Sequence, residues 1–421
     1  MLTLKTAKAQ APTPLLARTS TLVLVFALVA IGVSVHKYLL PAKPFDDAGH
    51  TSTEFNNYVI FERAGTHLLA GEDLYRSYPA EHWDLFKYSP TFALFSVPLS
   101  WLPTLAGLSL WNAANALVLL AGLLALPLAQ RPKALAAWLV LKELMTCLQN
   151  SQSNGLVAGL VVLTFVALER DRAGWAGLCL ALSLYLKIYG AAAGLLLVFY
   201  PCRWRSLAWG ALWVLVLGAL PLAVVTPAEL LAQYRSWLAL LANDHHASHG
   251  LSVMGVVEAR LGIGNADGWI VALGTVGLLA PLVRVRHYHD VEFRLGMLSS
   301  LLVWLVIFNH KAESPTYVVA VTGLAIWFVA ARRSLLDVIL LTGTYLLTCW
   351  SHTDLFPRSF RRSVVGPYQI KALGSLFVWP RMVYNQLLQP ATPTPVLLPF
   401  PAAASVQAAA DAAPDRSARA A

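Results

Sequence analysis

The sequence predicts an all-α polytopic membrane protein, and three observations carry that prediction. Of its 421 residues, 57% are hydrophobic and only 13% are charged, whereas soluble domains carry about 25% charged residues. The apolar residues come in runs broken by short polar stretches. Lys and Arg gather in brief loops, RPK (131–133), RWR (203–205), RVRH (284–287) and RR (332–333), which is how cytoplasmic loops between spans are marked. These loops supply much of the net charge of +9. No basic face interleaved with aromatic residues accompanies them, so nucleic acid is excluded as a partner.

Taken in order, the N-terminus is basic through Arg18 and then apolar over residues 20–40. No small-residue cleavage site follows convincingly, so this is an uncleaved first span. Further apolar runs cover about 91–102, 105–129, 134–148, 154–168, 174–186, 188–200, 206–225, 268–283, 295–308, 316–331 and 335–350, with a weaker one near 366–388. Runs of 13–16 residues extend roughly 20–24 Å, short of the ~30 Å hydrocarbon core. They borrow flanking residues or end at a polar cavity, since irregular backbone at membrane depth is tolerated only there.

With the N-terminus inside, residues 41–90, QNSQSN (149–154), Lys187, the 226–267 loop, NHKAESP (309–315) and SHTDLFP (351–357) all fall outside. Two full crossings between 91 and 129 would put RPK on the wrong side, so one of those runs is expected to be re-entrant. The expectation is 11–13 transmembrane helices with a long first extracytoplasmic loop, one membrane domain over 1–388, and an Ala/Pro-rich disordered tail over 389–421. Cys147, Cys179, Cys202 and Cys349 lie in or beside apolar runs without CxxC spacing and read as small hydrophobes.

The first outer loop is chemically rich. Apolar Phe55, Tyr58, Val59, Phe61, Leu68 and Leu69 recur at helical spacing before Gly71, predicting an amphipathic surface helix over about 54–70. Glu54, Asn57 and Tyr58 fall within one turn, where they face one ligand together or form an ordinary solvated side. DLFKYSPT (84–91) brings Lys87 and Tyr88 to the proline opening the next run; its aromatic residues are an interfacial belt or a sugar-stacking surface.

Lys187 is one cation inside a 26-residue stretch, 175–200, that is otherwise apolar. An intramembrane charge costs a few kcal/mol or more and is a functional-site hypothesis by default. A phosphate is its natural partner, because Lys is a compact phosphate-binding point charge. Gln149 and Asn154 make a turn or hydrogen-bond a hydroxylated ligand. His245 and His249 have the i, i+4 spacing of a helical metal site, but Gly250 argues against a helix and no third ligand follows, so no metal is assigned. His310, Lys311 and Glu313 crowd another outer turn before Pro315, either as a satisfied pair or as a rim of the same cavity.

Together these segments resemble glycosyltransferase family 87, within the GT-C superfamily. The resemblance rests on EFNNYVIFERAGTHLLAGEDLY, KYSPTFALFSVPLSWLP, WNAANALVLL, NSQSNGLVAGLVVL and AGLCLALSLYLKIYGAAAGLLLVFYPCRWR, with GLSVMG and HKAESPTY matching more weakly, over roughly residues 50–320. It implies a GT-C-like fold and transfer of a hexose, often mannose, from a polyprenyl-phosphate donor. The acceptor would be a lipid-linked or envelope glycan on the extracytoplasmic side of the inner (plasma) membrane, with no cofactor. The family places an acid in the first outer loop, in a pattern like Asp-Phe-x-x-Tyr, as general base. The matching position is Glu54, one methylene longer, with Asp46, Asp47 and Asp73 as rivals. Lys187, Lys87, His249 and Lys311 are the candidate phosphate cations; Asn57, Tyr58, Tyr88, Gln149, Asn154 and Glu313 are candidate substrate contacts. One base and one leaving group imply a single, inverting displacement. The competing class is a transporter or lipid flippase, which typically shows internal repeats and midplane binding; neither is evident here.

Overall fold

A computed structural model of the chain describes residues 14–243, 249–264, 266–331 and 333–388. The expected tail over 389–421, together with His245 and His246, lies outside the described residues.

The first span is α1 (Thr19–Tyr38), with His36 and Lys37 in its last turn, where cations complement the helix dipole. A two-rung antiparallel hairpin, β1 (Lys43–Pro44) and β2 (Thr51–Ser52), leads into α2 (Asn56–Leu69), the amphipathic helix expected from the spacing. Ser89 then caps α3 (Pro90–Ser100), accepting the Phe92 N–H at 3.1 Å with Pro90 at the first helical position. Eleven residues rise only about 16 Å. Helix α3 therefore does not cross. It doubles back on α2, where a Cβ on Gly65 would sit 2.9 Å from the Val97 backbone.

The remaining helices run end to end as α4 (Thr104–Ala125), α5 (Gln130–Gln149), α6 (Asn154–Glu169), α7 (Ala173–Leu186), a 3-10 helix (Ile188–Phe199) and α8 (Arg203–Ala219). Two short helices, α9 (Pro227–Asn243) and α10 (Val253–Leu261), lie in the second large loop. Then come α11 (Asp267–Leu279), α12 (Val291–Ile307), α13 (Tyr317–Ala330) and α14 (Leu335–Tyr345), an arch containing the single turn α15 (Arg358–Phe360), and α16 (Ile370–Leu388). Three segments, Thr19–Tyr38, Thr104–Ala125 and Arg203–Ala223, are by themselves long and apolar enough to cross a membrane.

Contacts fix which ends lie together. Gln130 donates to the Ala17 carbonyl, Arg170 to that of Ala125, Arg284 to that of Gln386, and Arg294 pairs with Glu169. These form one arginine-rich end. At the other, Trp111 donates to Ser151, Asn57 to Asn150, and Thr348 to Lys371. Counting α1, α4 to α8, the 3-10 helix, α11 to α13, α14 together with the π-helical turn Leu346–Trp350 that lengthens it, and α16, twelve segments among the described residues run between the two ends. That lies within the expected range, and it puts RPK beside the N-terminal end of α1 because α3 is the re-entrant run.

Small residues let the helices close up, as membrane bundles require. A Cβ on Gly159 of α6 would lie 2.7 Å from the Leu119 nitrogen of α4, and one on Gly177 of α7 would lie 2.6 Å from Gly210 of α8. The bundle also buries an ion pair that hydropathy did not single out: Lys371 Nζ of α16 lies 2.5 Å from Glu143 Oε1 of α5.

Candidate active site

The middle of the 175–200 run is not the middle of a helix. Helix α7 stops at Leu186, Lys187 is extended (φ −150°, ψ 126°), and the chain returns as the 3-10 helix. The return is tight: a Cβ on Gly190 would lie 2.6 Å from the Ser183 carbonyl oxygen. The Lys187 N–H donates to Ser183 O at 2.9 Å and the Gly190 N–H donates to Lys187 O at 2.8 Å. The ammonium thus sits at a break in the helical rod at the loop-bearing end. Its Nζ lies 5.8 Å from the ring centroids of both Tyr88 and Tyr189. Among the described residues no carboxylate comes within ion-pairing distance of it.

Tyr88 is set by its backbone. Trp237 of α9 donates to the Lys87 carbonyl at 3.2 Å, the Tyr75 hydroxyl to that of Tyr88 at 2.9 Å, and Ser89 Oγ to Tyr185 O at 2.7 Å. Phe61 of α2 meets the Tyr88 ring edge-on at 4.9 Å. The 41–90 loop is thereby clamped to α7 and α9 next to Lys187.

The third wall is the turn between α5 and α6. Ser151 takes a left-handed φ of 51°, and its carbonyl accepts from Trp111 Nε1 at 2.8 Å. The turn projects a chain of polar groups. Tyr189 donates its hydroxyl to Asn154 Oδ1 at 3.0 Å, Asn154 Nδ2 to Gln152 Oε1 at 2.7 Å, and Gln152 Nε2 to Glu313 Oε2 at 2.6 Å. Ser153 Oγ lies 3.1 Å from the Tyr88 hydroxyl. Glu313 is held where α12 gives way to α13, its N–H on Thr316 Oγ1 at 3.2 Å. Four separate parts of the sequence, 87–89, 152–154, 187–189 and 313, therefore meet at one place, with an ammonium, a carboxylate, phenol hydroxyls and amides. Such a set binds an anion at the ammonium and hydroxyl groups along the amide chain.

Other expected residues have different surroundings. Glu54 precedes α2 and is paired with Lys37 at 2.9 Å and with Lys43 of the hairpin. Lys43 first and Lys37 second hold its carboxyl below the usual range. Asn57 spends its amide on the Asn150 carbonyl at 2.8 Å, tying α2 to the α5–α6 turn. Tyr58 is fully buried, its hydroxyl packed where Gly107 leaves space. Glu54, Asn57 and Tyr58 thus point to three destinations, because Glu54 lies before α2 while the first turn of that helix is wedged between α4 and the α5–α6 turn.

Gln149 closes α5 and joins none of the polar-chain bonds; Gln152 occupies that role. Lys87 lies 3.5 Å from Asp84, and the Lys311 N–H donates to Asn309 Oδ1 at 2.9 Å. His249 bridges Glu258 at 2.5 Å and Asp267 at 2.8 Å, and Glu258 chiefly, with Asp267, raises its pKa. Asp46 pairs with His50 at 2.5 Å, which lowers the carboxyl, and Asp73 accepts the Tyr75 N–H. Among the described residues no group of His, Cys, Asp and Glu could hold a metal ion.

The class to which this helical bundle belongs is that of the glycosyltransferases. The chain belongs to glycosyltransferase family 87, whose profile matches residues 86–308. Among solved structures, ArnT from Cupriavidus metallidurans, crystallised bound to undecaprenyl phosphate, is 15% identical over 88% of this chain and 78% of that one, with a TM-score of 0.46. No curated protein matches the chain.

Proposed function

We propose that the protein transfers a hexose, with mannose as the family expectation, from a polyprenyl-phosphate donor to a lipid-linked or envelope glycan. The site would face the extracytoplasmic side of the inner membrane, and the reaction would need no metal. The observation that carries this reading is Lys187: an ammonium at a break in a membrane helix, between two tyrosine rings and without an ion-pair partner among the described residues. A lipid-borne phosphate reaches that depth while its tail stays in the bilayer.

In the proposed step the acceptor oxygen bonds to the anomeric carbon as the carbon–oxygen bond to phosphate breaks, inverting the centre. The polyprenyl phosphate leaves with its charge held by Lys187. The acceptor proton passes to Glu54, which its two lysines keep ionised. One carboxylate oxygen must be released for this. Lys43, 70% exposed on the hairpin against 17% for Lys37, is the cation that moves. Glu313 fixes the chain Gln152–Asn154–Tyr189 against the sugar.

The test is sugar transfer by the purified full chain in detergent, from radiolabelled polyprenyl-phosphate mannose to lipid extracts of the host. Lys187→Ala removes a charge-assisted contact of about 1.5–3 kcal/mol, so kcat/KM should fall roughly 10- to 150-fold. Glu54→Gln should cost about 10²–10⁴. Transfer that survives Glu54→Gln but fails in Glu313→Gln would move the base to Glu313. No transfer from any polyprenyl-phosphate sugar, over several acceptors, would overturn the reading.

A further inference from the structure

The arch over 351–369 contradicts the charge rule that the rest of the chain obeys. Arg381 of α16 pairs with Asp337 at the start of α14 at 2.8 Å, and Thr348 donates to the Lys371 carbonyl at 3.0 Å. Helices α14 and α16 are therefore antiparallel, and the arch between them stands at the candidate-site end, far from the arginine-rich end. Yet it holds Arg358, Arg361 and Arg362 against the single acid Asp354. The first outer loop at the same end, 41–90, holds eight carboxylates against four cations. The arch is a basic island beside an acidic surface, not a share of a general charge.

Its conformation presents that charge. Arg361 is committed to Asp354 at 2.6 Å and to the His352 carbonyl. Arg358 and Arg362 are exposed and meet no carboxylate among the described residues. In the same arch Phe356 and Phe360 stack at 5.7 Å and stay 37% and 42% exposed, with Leu355 at 69%. Helix α14, which leads into the arch, exposes Leu336 and Ile339, and Leu346 just beyond it is exposed as well. An exposed apolar cluster flanked by guanidinium groups that meet no carboxylate among the described residues is the pattern of a segment seated at the headgroup–acyl boundary.

We propose that the 354–362 arch binds the phosphate headgroups of anionic lipids in the leaflet at the candidate-site end. Leu355, Phe356 and Phe360 enter the acyl boundary, and Arg358 and Arg362 take the phosphates. The sidedness of the arginines selects lipid phosphate: on a neutral surface their placement against the positive-inside rule would have no compensation. This inference does not depend on which carboxylate is the base or on the sugar transferred.

The experiment is a titration of the delipidated full chain, in mild detergent, with phosphatidylglycerol and with phosphatidylcholine, read by native mass spectrometry. Each basic residue near an anionic surface is worth about fivefold in affinity. R358Q/R362Q should therefore weaken the tightest phosphatidylglycerol binding roughly thirtyfold and leave phosphatidylcholine unchanged. Leu355→Ser with Phe360→Ser should weaken both lipids. Thermal unfolding of each variant checks that the bundle is intact. Undiminished phosphatidylglycerol binding by R358Q/R362Q, with loss instead in R203Q/R205Q at the other end, overturns the proposal. Equally strong, arginine-dependent binding of a soluble polyglutamate peptide overturns it in favour of an acidic protein partner.

Discussion

Replacing Lys371 with Met should damage this protein far more than replacing Lys371 and Glu143 together. Lys371 and Glu143 are 2% and 0% exposed and lie 2.5 Å apart, joining α16 to α5 across 228 positions of sequence. Oε1 of Glu143 has Lys371 as its partner, and Oε2 has no hydrogen-bond partner. Lys371→Met would leave a fully buried carboxylate with nothing to balance it, a loss of about 3–5 kcal/mol. That is roughly a 150- to 5,000-fold fall in the folded-to-unfolded ratio. Glu143→Leu in the same chain removes the stranded charge, and apolar replacement of both partners is often neutral or stabilising. Lys371 also lies 5.4 Å from the ring centroid of Tyr317, whose hydroxyl holds the Leu251 carbonyl at 2.8 Å, four residues beyond Glu313. The single variant should therefore lose activity with stability, and the double variant should regain both. The assay is unfolding of the full chain in nanodiscs of fixed composition, followed by tryptophan fluorescence. A Lys371→Met variant as stable as wild type, or a double variant no better than the single one, would show that the buried Glu143 charge does not depend on Lys371.

Three further outcomes follow from particular contacts. Lys37→Met removes one of the cations that lower the Glu54 carboxyl, so the acid limb of the kcat/KM profile should move to higher pH; an unmoved limb, with Glu54→Gln inactive, would show that the pair does not set the base. His249 has its folded pKa raised above 6.5 by Glu258 and Asp267. Its stabilising bridge between α10 and α11 is complete below the unfolded value and is lost as pH rises through the folded one. Hydrogen exchange over 249–262 should accelerate across that alkaline step and lose the dependence in Glu258→Gln. Gly159→Ala forces a methyl group against the α4 backbone at 2.7 Å and should destabilise by about 1–3 kcal/mol, measured as a lowered Tm.

Much of this molecule was legible along the chain. Hydropathy runs gave the bundle, because the bilayer demands satisfied backbone and apolar side chains residue by residue. The RPK loop required one non-crossing run near 91–129, and α3 is that run because eleven residues cannot reach across. Lys187 stood out since a cation amid 26 residues of mostly apolar sequence has no local explanation. Other features carried no local signal. Gln149 and Gln152 have the same chemistry, and only the left-handed turn at Ser151 directs Gln152 toward Glu313. The helix expected over 54–70 put Glu54, Asn57 and Tyr58 within one turn, yet α2 begins only at Asn56, and Lys37, the Asn150 carbonyl and the space at Gly107 draw the three apart.

The membrane character of the chain, the positions of its apolar runs and the isolated cation Lys187 follow from residue types alone, since each reflects the cost of placing a given side chain in lipid. What that cation faces is a matter of packing in three dimensions. Tyr88, Asn154 and Glu313 come from segments distant from Lys187, and their meeting depends on where α7 breaks and how closely glycines let the helices approach. The pairing of Glu143 with Lys371 was settled at the same level, because a buried charge is tolerated by its partner in space, and neighbours in sequence do not name that partner.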